Sequence, residues 1–114
     1  MKIRKTYKNV QPELLYNEIR DFVLKQGTVI DEAKLETYSI PTDSSSHISR
    51  GTLTFKTQDK SDIKECIRVH IVGSAKGETK MIFDINEELF PQEKVSTLQE
   101  DIEFIFGSSE VKPR

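Results

Sequence analysis

One cysteine, no tryptophan, two histidines and five glycines deprive this chain of the raw material for several kinds of chemistry. A single thiol, Cys66, cannot close an internal disulfide, which fits a reducing compartment. His47 lies nineteen positions from Cys66 and His70 four positions beyond it, so no zinc-ligand spacing is present. The glycines are scattered singly and build no loop that could cradle a phosphate. No apolar run approaches the length of a membrane span, and the opening MKIRKTYKNV lacks the apolar centre of a signal peptide. The expectation is a cytoplasmic protein without cofactor or metal.

What is present suffices for one domain. The 114 residues are 35% hydrophobic and 32% charged, with a net charge of only −2. That is enough apolar material for a single sheet-and-helix core, and too little charge imbalance for a disordered chain. The expected domain spans residues 1–107, followed by a disordered tail at 108–114.

Hydrophobic periodicity places the elements. Lys2 to Lys8 alternates around Ile3 and Tyr7 and reads as a short strand. Gln11-Pro12-Glu13 starts a helix over residues 12–26, with Leu14, Leu15, Ile19, Phe22 and Val23 at helical spacing and Gly27 closing it. A strand follows from about Thr28 to Ile40, its broken alternation at Ile30-Asp31 marking a bulge. Pro41 to Ser46 reads as a turn-rich loop. Three further strands carry Leu53 and Phe55, then Ile63, Ile67, Val69 and Ile71, then Met81, Phe83 and Ile85 on one face. Phe90-Pro91-Gln92-Glu93 opens a last helix with the stripe Val95, Leu98, Ile102 and Ile105, and Phe106 beside it. Short polar turns between strands favour antiparallel pairing, and one apolar face per strand puts both helices on that face.

This order, β-α-β-β-β-β-α over Lys2 to Phe106, resembles the TATA-binding-protein-like fold. More loosely it is similar to the helix-grip fold of START and Bet v 1-like proteins. The resemblance implies an α+β domain with a single antiparallel sheet and both helices on one face. DNA-bending members of the first family carry phenylalanine wedges on the open sheet face. Here Phe55 and Phe83 share the parity of the core, so no residue roles carry over.

Two constellations invite a catalytic reading and fail on geometry. Cys66, Arg68 and His70 share a strand face by alternation, but residues four apart on a strand stand about 13 Å apart, beyond the reach of a base for its nucleophile. Asp43, Ser44 to Ser46 and His47 are explained by turn formation. The chain is therefore read as non-enzymatic.

The informative feature is electrostatic. Opposite in parity to the apolar sets stand Lys2, Arg4, Lys8, Lys34, Arg50, Lys56, Lys64, Arg68 and Lys80, nine cations, against Glu32, Glu36 and Asp84. The open face would carry +6 in a chain whose total is −2. Such segregation suits an anionic partner, nucleic acid or an acidic protein, with Lys2, Arg4, Arg50, Lys56, Lys64, Arg68 and Lys80 as the contact residues. Lysines also keep exposed strands soluble. A reading from another class is a small hydrophobic-ligand carrier, with its ligand held between the last helix and the sheet and oriented by polar residues such as Thr37, Thr57 or Glu65.

Overall fold

In the structure, a computed structural model, residues 1–40, 43–58, 64–74 and 77–111 are described, with residues 40 and 43–46 described by their backbone only. The elements run β1 (Lys2–Lys8), α1 (Pro12–Lys25), β2 (Val29–Ile40), β3 (Asp43–Lys56), β4 (Glu65–Gly73), β5 (Glu78–Ile85) and α2 (Gln92–Phe106). The five strands form one antiparallel sheet in the order β1-β5-β4-β3-β2. β1 and β2 are therefore the edges, and the expected α+β class and element order are those observed.

Each helix begins with the same device. Val10 and Leu15 flank the start of α1, Phe90 and Val95 flank the start of α2, and all four are buried. In each pair the residue before the cap closes onto the second turn as a hydrophobic staple, setting the angle at which the chain enters the helix. Pro12 sits in the first turn of α1, where its missing N–H is not needed. Gly27 ends the helix at φ 92°, a left-handed conformation that favours glycine.

The core lies between the sheet and both helices. Leu53, Phe55, Ile67, Val69, Ile71, Met81, Phe83 and Ile85 form the sheet side; Leu15, Tyr16, Ile19 and Val23 come from α1, and Val95, Leu98, Ile102 and Phe106 from α2. Both helical stripes differ from the expected ones by one choice between three- and four-residue steps. Ile105 is 47% exposed and Phe106 takes the core position, its ring 5.8 Å from that of Tyr7. On α1, Leu14 is exposed and Tyr16 is buried, lying over Gly51 of β3. A Cβ at Gly51 would come within 2.7 Å of the Tyr16 ring, so this glycine is the notch that admits the aromatic.

Two other expectations change, and a third, at Ile63, is not covered. The strand β3 begins at Asp43, so residues 43–46 extend a long hairpin with β2 instead of forming a loop. Ile63 lies outside the described residues. The disordered tail is corrected in part: Gly107–Ser109 forms a 3-10 turn, Glu110 bridges Tyr7, and the Val111 N–H donates to Thr6 O at 2.7 Å. Residues 112–114 lie outside the described residues.

Tyr7, fully buried, has a hydroxyl with no hydrogen-bond partner among the described residues. Burial, then the negative charges of Glu110 and Glu103, push its pKa well above the ordinary 10.0. The unfolded phenol ionises as pH rises through 10 while the folded one stays protonated, so stability present below pH 10 is lost above it. Y7F removes this term. Its free energy of unfolding at pH 7 is expected to equal that of wild type, or exceed it by up to ~1 kcal/mol because the buried hydroxyl is gone. Above pH 10 the variant should lose less stability than wild type, a comparison that urea titrations at both pH values would decide.

Candidate functional site: the open sheet face

Cross-strand register turns the open face into rows. One row runs Lys2, Asp84, Arg68, Thr54, Glu32 across β1, β5, β4, β3 and β2. The next runs Arg4, Ile82, His70, Thr52, Lys34, and a third Thr6, Lys80, Val72, Arg50, Glu36. All the expected cations of this face that fall in β1, β3, β4 and β5 are exposed or half-buried. Thr54 is the exception on the face, buried between Arg68 and Glu32 of the neighbouring strands.

The face is less basic than alternation implies. Asp31, Glu65 and Glu78 join Glu32, Glu36 and Asp84 on or beside it, so nine cations meet six acids and the excess is +3. Two β-bulges bring Asp31 and Glu65 there, and Glu78 lies there by the plain alternation of β5, opposite Lys8. Asp31 is the extra residue where Ile30 pairs with Phe55 and Glu32 with Thr54, and it reaches Lys56 at 2.9 Å. On β4, Phe55 pairs with Ile67 and Lys56 with Glu65, leaving Cys66 as the extra residue. Glu65 then bonds Arg68 at 2.9 Å, and Lys34 bonds Glu36 at the same distance. Those hydrogen bonds hold Arg68 and Lys34 above their ordinary pKa values.

The cations therefore divide in two groups. Lys34, Lys56 and Arg68 have a carboxylate of their own, and Lys64 also has a partner. Lys2, Arg4, Lys8, Arg50 and Lys80 form no ion pair among the described residues. Lys2 and Lys8 stand opposite Asp84 and Glu78, but Arg4 faces Ile82, and Lys80 lies between Thr6 and Val72. Glu36, opposite Arg50, is engaged by Lys34 and by the Tyr38 hydroxyl. Arg4, Lys80 and Arg50 thus surround a shallow centre of Ile82, His70 and Val72. Lys80 and Arg50, two strands apart, sit about 10 Å from each other. Of the seven cations expected as contact residues, Lys2, Arg4, Arg50 and Lys80 are those that form no ion pair among the described residues.

The bulge also corrects the placement of Cys66, which alternation puts on the open face. The extra residue reverses its parity, and the thiol is buried in the core at 2% exposure. Its Sγ donates to Phe55 O at 3.5 Å, and burial pushes its pKa up, the opposite of what a nucleophile needs. His70 stays on the open face, 3.5 Å from Thr52 Oγ1, so sheet and core separate the two. Labelling by a disulfide reagent is expected to be slow in the native protein and to reach full extent only with unfolding. Rapid native labelling would contradict the bulge. The side chains of Asp43 and Ser44 to Ser46 lie outside the described residues, and His47 is 3.4 Å from Ser39 Oγ.

A second concavity lies on the helix side. An open groove of about 660 Å³ runs between α2 and the β1–β5 edge, floored by Met81, Phe83, Leu98 and Ile102 and rimmed by Ile3, Lys5, Glu103 and Phe104. Phe104 is 90% exposed, and no sequence pattern set it apart. The polar residues expected to line a ligand pocket are elsewhere: Glu65 is exposed with Arg68, and Thr37 bonds Ser49.

Among the described residues no cluster of His, Cys, Asp and Glu is gathered to hold a metal ion, and no helix is long and apolar enough to cross a membrane. No family model, curated protein or solved structure matches this chain.

Proposed function

We propose that this protein is a small non-enzymatic binding module that takes an anionic partner, nucleic acid or an acidic protein, on its open sheet face. The observation that carries the reading is that Lys2, Arg4, Lys8, Arg50 and Lys80 form no ion pair among the described residues, whereas Lys34, Lys56 and Arg68 on the same face each hold a carboxylate. Unpaired cations are available to a partner without first breaking a bond at home. Tyr38, the aromatic on this face, sits at the β2 edge with its hydroxyl on Glu36. Recognition would therefore rest on backbone charge more than on base stacking. The element order supports a TATA-binding-protein-like or helix-grip reading of the fold, and the lone buried thiol suits the cytosol. Titration with single-stranded RNA and duplex DNA at low salt tests the proposal. Absence of binding to both, and to an acidic polypeptide, would leave the lysines as a solubility device.

The second reading, a carrier of a small hydrophobic ligand, is favoured by the groove beneath α2. Its volume falls in the range of small-molecule sites, and its floor is apolar. Ser96 of α2 lines this groove, and a groove-filling S96W variant that abolished uptake of a fluorescent lipid probe would support the carrier. Unchanged uptake would remove it.

A further inference from the structure

The two edges of the sheet are treated differently. β1 presents Lys2, Arg4, Lys5 and Lys8 with no acid among its seven residues. A second β1 laid against it would set cation on cation, and the bridge from Glu110 and Val111 already occupies part of that edge. β2 has neither guard. It is the longest unshared edge, twelve residues from Val29 to Ile40, and among the described residues nothing pairs with its outer side. Leu35, Tyr38 and, beside it on β3, Ile48 are exposed apolar side chains along this stretch.

The regular part of β2 lies between its irregularities at Ile30/Glu32 and Ser39/Ile40. Over Glu32 to Tyr38 its sequence is complementary to itself when read in the opposite direction. With Leu35 on a two-fold axis, Lys34 stands opposite Glu36 of the other copy, and Glu36 opposite its Lys34. Glu32 stands opposite Tyr38, and Ala33 opposite Thr37. Directly opposed side chains on paired antiparallel strands have Cβ atoms about 5 Å apart, so the intrachain Lys34–Glu36 pair becomes a ring of four alternating charges. Moving the axis by one residue either way sets Lys34 on Lys34 or Glu36 on Glu36. An axis at Ala33 would also match Glu32 with Lys34, but only residues 32–34 of the regular stretch would then pair, whereas the axis at Leu35 pairs all seven residues from Glu32 to Tyr38.

We propose that β2 is a self-complementary edge through which two copies of this chain join into one continuous sheet, related by a two-fold axis at Leu35. The contact is isologous, closes on itself and satisfies the edge backbone groups that β2 otherwise presents to water. An interface of one strand edge is small, so association is weak and depends on concentration. This inference is independent of the anionic-partner reading, because the cations assigned to that reading lie on β1, β5 and β3 and leave β2 free.

Sedimentation velocity on the full chain over a range of concentrations is the test. Wild type should show a monomer–dimer equilibrium within the micromolar range. K34E sets two carboxylates together across the axis, the introduced one and that of Glu36, and E36K sets two lysines together. Each should weaken dimerisation about tenfold or more, since like charges directly opposed disfavour pairing. The double variant K34E/E36K restores the complementarity in mirror form and should recover the wild-type equilibrium. Both positions are on the solvent side of an edge strand, so circular dichroism spectra should be unchanged. A wild type that stays monomeric at high micromolar concentration overturns the proposal. So does a dimer indifferent to both single reversals, or one that the double variant fails to restore.

Discussion

F83A is expected to lower the free energy of unfolding by about 3–5 kcal/mol, the range for removing a fully buried phenylalanine from a packed core. Phe83 is the middle of β5 and is paired with Ile3 on one side and Val69 on the other. With Met81, Leu98 and Ile102 it floors the space beneath α2. Truncation loses the transfer energy of the ring and leaves a void that a strand held by two neighbours cannot close. A domain of this size has a total stability of roughly 5–15 kcal/mol, so the variant should be marginally folded at room temperature. I105A is the control. Ile105 belongs to the stripe that helical spacing suggests, yet it is half exposed, and its loss should shift the urea midpoint by no more than ~0.5–1 kcal/mol equivalent. If the two variants cost the same, α2 is rotated from the orientation described.

That pair of variants marks the limit of what alternation and helical spacing can say. β5 was fully legible, because Met81, Phe83 and Ile85 alternate strictly and one face is covered. The turn of α2 was not. Steps of three and four both satisfy a period of 3.6, so Val95, Leu98 and Ile102 can be followed by Ile105 or by Phe106. Tyr7, on another strand, decides it by receiving the Phe106 ring.

The same boundary runs through the candidate site. The bulge at Asp31 was visible as broken alternation, and the one at Cys66 was not, although two consecutive apolar residues, Cys66-Ile67, are its trace. A single extra residue exchanges the faces of a strand. It moved the thiol into the core and brought Glu65 and Asp31 to cations that alternation had left unopposed. Which lysine meets which acid depends on register between strands far apart in sequence, so Asp31 and Glu65, two of the three acids that lower the excess from +6 to +3, came to light only as the pairs Lys56–Asp31 and Arg68–Glu65; the third, Glu78, was legible from the alternation of β5. The edges β1 and β2 were equally hidden, because strand order is a property of the assembled sheet.

Binding of single-stranded nucleic acid should fall steeply with salt, and the paired and unpaired cations should contribute unequally. If Lys2, Arg4, Arg50 and Lys80 together neutralise about four phosphates, the slope of log K against log salt is about −2.8, so affinity drops about 50-fold between 50 and 200 mM. Reversal of three unpaired cations, R4E/R50E/K80E, should abolish measurable binding at moderate salt while leaving the unfolding midpoint nearly unchanged, since these side chains are exposed and form no ion pair among the described residues. Reversal of the paired set is the contrast. In K56E/R68E each new glutamate faces the acid that its predecessor held, Asp31 and Glu65. That repulsion acts within the protein first, so the variant should lose some stability and a smaller share of its affinity. Equal losses of binding in the two variants would mean that the whole face acts as a diffuse potential and that home pairing does not decide which cations a partner meets. Binding that ignores salt would refute the electrostatic mechanism itself. Full affinity in R4E/R50E/K80E would move the contact away from the β1–β5–β4–β3 end of the sheet, and the groove beneath α2 would become the surface to test.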